Sequence, residues 1–371
     1  MVAISAVLCA CTDIEKAVPD VSQFTKESFP RYLSAWGVLY RQDKDLVLNE
    51  GVIAYDLNTP LYTDYAHKLR TFWIPPSRQI TYTEDTDLDL PLGSIVTKTF
   101  YYPVQDGELI STEDYSRDFS TRGLNLQQVK LIETRVLVRL SDGWHGLPYV
   151  WNAEQTDAEL EITGAVKALS LQKDSVPTNF SYIVPDANQC QSCHVDDMTS
   201  KQMRLLGMKA RHVNKAYAGF FVANNQLQHW HDLGKLEQLP NKSIANVDWR
   251  DATKPLDDRA YAYLDVNCGH CHNPVGPADT SGLFLNTGAM QHNEYNLLRL
   301  GVCKPPVAAG QGTGGRKVGI QPGNAVESIL SYRMESLDLG AMMPELGRSL
   351  VHEEGVTLIN EWINAMPGSC Q

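Results

Sequence analysis

The sequence predicts an α+β multidomain chain, with an antiparallel β-sandwich-like domain first and a mostly α-helical region after it. Three observations carry that prediction. Between about residues 60 and 180, apolar and polar residues alternate in short runs separated by turn residues. In 256–267 and again in 351–366 the apolar residues recur at helical spacing instead. At 371 residues, with 43% hydrophobic and 20% charged, the chain has material for two or three cores. The expected units are 1–29, 30–180, 181–250 and 251–371.

Met1 to Ala10 is a short apolar run ending Leu8-Cys9-Ala10-Cys11. It resembles a bacterial lipobox, in which Cys11 would be lipidated after cleavage behind the small Ala10. Its n-region lacks Lys and Arg, and an ordinary export signal with incidental cysteines is the competing reading. A polar tether follows to Phe29, then a short helix is expected over Arg31 to Leu39.

Ser94 to Tyr102 alternates as a strand. Leu131 to Leu140 sets Ile132, Thr134, Val136, Val138 and Leu140 on one face, with Glu133, Arg135 and Arg139 on the other. Ser141-Asp142-Gly143 supplies a hairpin turn, and Trp144 to Trp151 returns as its partner. The aromatic residues here read as packing rather than as a ligand face. Further on, Met203 to Phe221 and Asn225 to Gly234 read as helical, with Gly234 a C-cap. Leu239 to Pro255 reads as a linker and Gly301 to Asn324 as a long Gly/Pro-rich loop. A last helix is expected from Ser349 as N-cap, striped by Val351, Leu358, Ile359, Trp362, Ile363 and Met366 and ended by Pro367.

The formal net charge of −12 and the lack of any long basic run argue against nucleic acid and against docking on anionic lipid headgroups. No other apolar run is long enough to span a bilayer, so a lipid at Cys11 is the one membrane attachment expected.

Four of the eight cysteines stand in two matching pentads, Cys190-Gln191-Ser192-Cys193-His194 and Cys268-Gly269-His270-Cys271-His272. The Cys-x-x-Cys-His spacing is that of covalent c-type haem attachment. Two thiols one helical turn apart reach both vinyl-derived carbons on one edge of a porphyrin, and the adjoining imidazole comes under the iron. Two covalently attached haem c groups are therefore expected, on Cys190, Cys193 and His194 and on Cys268, Cys271 and His272. Haem c implies export to an oxidising compartment, periplasmic or on the outer membrane, where Cys303 and Cys370 could pair. For the sixth iron ligand of the second haem, Met343 before Pro344 is the expected residue, since the proline stiffens the loop. The alternative is that Met342 and Met343 pack in a core. For the first haem, Met208 and His212 are the best candidates among Met198, Met203, Met208, His212, His229 and His231, and an open position stands beside them.

Two motifs are decoys. Gly310-Gln311-Gly312-Thr313-Gly314-Gly315 has dinucleotide-fingerprint spacing, but prolines stand before it in place of a strand. Two Cys-x-x-Cys pairs could make a zinc site, yet a histidine directly after each pair and their wide separation favour haem.

The pentads, Tyr263 to Pro277 (YLDVNCGHCHNPVGP), Cys303 to Gly310 (CKPPVAAG), Met342 to Gly355 (MMPELGRSLVHEEG), Tyr55 to Leu61, Leu131 to Arg135 and Gly143 to Asn152 together resemble a group of exported bacterial dihaem c-type cytochromes. The resemblance covers nearly all of the chain after Arg31 and is most specific in the C-terminal third. It implies a β domain of unassigned role, a first haem segment, and a last segment similar to a class I cytochrome c. Single-electron transfer with redox partner proteins, other cytochromes or a dehydrogenase, is the expected function. The alternatives are a peroxidase-like enzyme with an open first haem, and a β binding module with a redox-active cytochrome domain.

Overall fold

A computed structural model describes residues 18, 20–115, 117–174, 176–216, 225–286, 294–307 and 310–370. The lipobox, Cys9 and Cys11 lie outside the described residues. The chain is mixed α and β, with a β-rich N-terminal part.

Alternation of β-branched and aromatic residues builds thirteen strands in order. They are β1 (Leu39–Gln42), β2 (Asp45–Leu48), β3 (Ile53–Tyr55), β4 (His67–Trp73), β5 (Ile80–Thr81), β6 (Ile95–Gln105) and β7 (Glu108–Ile110). β8 (Gly123–Asn125), β9 (Val129–Leu140), β10 (Gly143–Trp151), β11 (Ala158–Leu160), β12 (Ala165–Lys173) and β13 (Val176–Val184) complete the run. Nine of them form one sheet in the order β11-β10-β9-β6-β7-β12-β13, with β4 pairing β6 and β3 pairing β4. The pairs are antiparallel except β7 with β12. A bulge between Phe100 and Tyr101 lets the long β6 turn from β4 toward β7. The small β1-β2-β8 sheet closes on one face of the large one. Leu39, Leu46 and Leu124 from the small sheet meet Tyr101, Val136, Val138, Tyr149 and Trp151 there. The aromatic residues are thus used in packing, as expected.

Four differences from the sequence expectation have physical causes. Arg31 to Leu39 holds only a 3-10 turn, Leu33–Trp36, because Gly37 turns the chain left-handed at φ 65 and β1 follows. β13 continues past the expected boundary at residue 180 to Val184. Met203 to Phe221 is not one helix: Gly207, at φ 88, interrupts it, and among the described residues of that stretch only α2 below is helical. The last helix does not start at Ser349, whose backbone N–H donates to Asp64 and whose hydroxyl donates to the Ser181 carbonyl.

The helices are α1 (Ala187–His194), α2 (Ala210–Val213), α3 (Gln226–Asp232), α4 (Leu256–Asn267), α5 (Glu294–Arg299), α6 (Ile329–Glu335) and α7 (Glu353–Ala365), with a short β14 (Leu236–Glu237) paired to β5. The segment expected as a separate unit over 181–250 shares a core with the sheet. Met208, Val213, Leu227 and Trp230 pack with Phe72, Val96 and Leu137. In the last part α4, α6 and α7 bury Leu264, Met334, Ile359, Trp362 and Ile363 together. Cys303 and Cys370 are disulfide-bonded, tying the loop after α5 to the C-terminus. No described helix is long and apolar enough to cross a membrane.

Candidate functional site

The first pentad is itself helical. Asp186 caps α1 by accepting from the Gln189 N–H at 2.8 Å while the Gln189 side chain accepts from the Asp186 N–H at 3.0 Å. One turn of that helix sets Cys190 and Cys193 on adjacent levels and ends at His194. Gly146 of β10 lets the helix come close: a Cβ there would stand 3.5 Å from the Cys190 Cβ and 3.1 Å from the Met203 methyl. His194 is buried, and its Nδ1 donates to the Arg204 carbonyl at 2.6 Å. Burial, then the neighbouring Lys98, pushes its pKa down to about 3, so the ring is neutral with Nε2 carrying the lone pair. An imidazole fixed through Nδ1 with Nε2 available is the arrangement a metal-binding histidine needs.

The second pentad continues α4. The Cys268 N–H donates to the Leu264 carbonyl, and the Cys271 and His272 N–H groups both donate to the Cys268 carbonyl. Gly269 is required by crowding, since a Cβ would lie 2.7 Å from the Asp265 carbonyl oxygen and 3.0 Å from the Asn286 Cα. The Nδ1 of His272 faces the Ser281 hydroxyl at 3.4 Å, and burial pushes the imidazole down to about 4. All four pentad cysteines are free thiols. Burial pushes Cys268 and Cys271 up to about 12 and raises Cys190 and Cys193 too. A dithiol redox motif works through a lowered thiol pKa, and burial here acts in the opposite direction.

The two pentads are neighbours. The Met198 N–H donates to the Val275 carbonyl at 2.7 Å, and the Asn273 side chain donates to the Asp196 carbonyl at 3.2 Å. Cys193 is near enough to help raise the Cys271 thiol, after burial. Among the described residues no group of three or more His, Cys, Asp or Glu side chains is placed to hold a metal ion. A structural zinc site needs four such donors. A haem iron takes one or two from the chain, which is what each pentad offers.

Met343 is half-buried in the loop between α6 and α7. Its N–H donates to the Arg333 carbonyl at 2.8 Å, and Arg333 Nε donates to the Ala341 carbonyl. After burial, the charge of Arg333 also lowers the His272 pKa. The candidates at the first pentad fare differently. Met208 is fully buried in the apolar core under the sheet, and the Nε2 of His212 is taken by Asp265 at 2.7 Å. Met203 comes to the same side of Gly146 as Cys190, its methyl 3.1 Å and the Cys190 Cβ 3.5 Å from where a Cβ would stand. In the His229-Trp230-His231 stretch Trp230 is a core residue, and His231 Nδ1 pairs with the Leu236 carbonyl.

No family model, curated protein or solved structure matches this chain. The site therefore rests on its own residues.

Two features were hidden in the sequence. Asp265 accepts from Arg211 twice, at 2.8 and 3.0 Å, and also bonds His212 and Asn246. Burial alone would raise that carboxyl, but His212 and Arg211 carry it well below the usual carboxylate range. The second is a row of cations on the face of the sheet under α1. Arg70, Lys98 and Arg135 stand directly opposite one another on β4, β6 and β9. Burial, with Arg135 and Arg70 next, pushes Lys98 down to about 7. Arg135 is held by a bidentate pair with the buried Glu133 and lies over the Phe100 ring. Charged residues inside otherwise apolar strands were the available signal; their alignment depends on register.

Proposed function

We propose that this chain is a dihaem c-type cytochrome that passes single electrons between partner proteins. The observation that supports it most is the doubled Cys-x-x-Cys-His pentad, each with unpaired thiols and a buried neutral imidazole. Cys190 and Cys193 would hold one haem with His194 beneath it, and Cys268 and Cys271 the other with His272. Each thiol would hold the haem through one thioether, an addition that needs no oxidant. Bound haem supplies a one-electron Fe(III)/Fe(II) couple. Around it the chain's own residues do three things. The Arg204 carbonyl fixes the His194 tautomer, Met343 would offer a thioether in the second segment, and burial of His194 would keep water from its ring. The hydrogen bonds between the pentads favour short passage of an electron from one to the other.

Export to the periplasm or outer membrane, with a lipid at Cys11, belongs to the same proposal, because haem c is attached outside the cytoplasm. So do redox partner proteins, and a two-part organisation in which the C-terminal helices form a class I-like cytochrome unit. Burial of Met208 and engagement of His212 by Asp265 give a second reading specific support. With neither at the first iron, that position is open or filled by Met203, and an open iron would make the protein a peroxidase-like catalyst. Absorption spectra decide between the two. Low-spin spectra unchanged by cyanide, or by carbon monoxide after reduction, are expected for electron transfer. A high-spin fraction that binds either ligand would overturn transfer in favour of catalysis.

A further inference from the structure

Between the large sheet, the loop entering α2, and the start of the second pentad lies a partly open cavity of about 20 Å³, where Arg70, Lys98, Lys209, His212, Asp265 and His270 stand beside an apolar wall. Its charges do not cancel. Asp265 is already bound by Arg211, His212 and Asn246. Asp56 is shared by Arg70 Nη1 at 3.1 Å and Lys215 at 2.9 Å. Among the described residues Lys209 has one carboxylate within ion-pair distance, Asp196 at 4.0 Å, which Arg204 approaches more closely, at 3.3 Å; Asp87 lies across a backbone bridge from Lys209 without an ion pair. Among the described residues no carboxylate lies within ion-pair distance of Lys98. Arg70 is buried, its side chain 5% exposed, and its Nη2 has no hydrogen-bond partner.

Like charges facing each other across neighbouring strands destabilise a sheet, and an unpaired buried guanidinium nitrogen costs about 1–3 kcal/mol. In the row Arg70–Lys98–Arg135 the outer members pair with Asp56 and Glu133, and the central Lys98 is left facing the cavity without an ion-pair partner among the described residues. The cavity is small, so an anion there presents a single oxygen-bearing group rather than a large ligand. We propose that Arg70, Lys98 and Lys209 form a carboxylate-binding cavity. Two sources share this chemistry: a propionate of one of the covalent haems, which rests on the dihaem reading, or a free small carboxylate, which does not.

The test uses the purified, matured protein and its Lys98→Met variant, with Lys209→Met as second variant should the first fail to fold. Haem is counted in each preparation, both midpoint potentials are read by spectroelectrochemistry, and formate is titrated calorimetrically. If a propionate fills the cavity, wild-type protein ignores formate. Removing Lys98 then favours the ferric state of one haem by at least tenfold, about 59 mV for a one-electron couple, while the other haem stays put. If the source is free, formate binds wild-type protein and binds at least tenfold more weakly to the variant, with both potentials unmoved. Unchanged potentials together with no formate binding to wild-type protein overturn the cavity. A preparation without haem overturns the dihaem reading alone, and the formate titration still decides the cavity.

Discussion

At the scale of single residues, the second pentad is tightly constrained at Gly269. Gly269 sits where a methyl group would meet backbone on two sides, the Asp265 carbonyl and the Asn286 Cα, and neither can swing away as a flexible side chain would. Gly269→Ala is expected to cost about 1–3 kcal/mol through overpacking. By displacing Cys268 relative to Cys271, it should also halve the covalent haem recovered. Thermal melts and haem counts on the same preparation check both. The pentads themselves were legible in the sequence because their chemistry depends on local spacing alone. Lys98 and Arg135 were not legible as partners. Each is an ordinary charged residue in its own strand, and only the β6–β9 register puts them opposite one another.

At the scale of elements, Asp265 fastens α2 to α4 and so ties the segment after the first pentad to the helix that delivers the second. In the unfolded chain its carboxyl titrates near about 3.9, and in the fold it sits well below that. The carboxylate bound more strongly in the fold stabilises fully above about pH 4, and that stability is lost as pH falls through the folded value. Asp265→Asn should cost about 3–5 kcal/mol at neutral pH, because it breaks a buried charge pair and leaves Arg211 uncompensated. The gap between wild type and variant should narrow as pH drops below about 4, read from melts between pH 7 and 3. An unchanging gap would mean that the carboxylate is not what binds the elements. α3 is fastened differently, through Trp230, whose ring lies 4.9 Å from Phe72 and 6.2 Å from Tyr55. Trp230→Ala should cost about 3–5 kcal/mol. Because that core is shared, sheet signals in circular dichroism and haem-region absorbance should lose stability together rather than in separate steps. The strands β6, β9 and β10 and the helices α4 and α7 were readable from period-2 and period-3.6 patterns. The 203–221 stretch misled because its apolar spacing is satisfied by docking on the sheet, with Gly207 turning the chain and the Arg204 backbone spent on His194.

At the scale of the whole molecule, the β-rich part is not a detached module beside the pentads. Its large sheet supplies the floor under α1, the cation row beside Cys190 and Cys193, and one core shared with the first pentad's segment. The C-terminal helices reach the same sheet through Asp64, which accepts from the Ser349 and Leu350 N–H groups, and through Tyr62 and Tyr65, which donate to the Val351 carbonyl. These contacts link parts of the chain far apart in sequence, and long-range side-chain pairing leaves no periodic trace there. On the proposed dihaem reading, a sheet that touches both pentad segments would help hold two redox groups at a fixed spacing.

The central claim is that each pentad carries a covalent haem, and intact mass joined to pyridine haemochrome quantitation tests it most directly. Protein produced in a host that matures c-type cytochromes should be red, heavier than the processed polypeptide by two porphyrins, and reduced to one porphyrin when Cys190 and Cys193 are both replaced by Ala. A colourless product at the mass of the bare chain, or one carrying zinc in place of iron, would contradict the account.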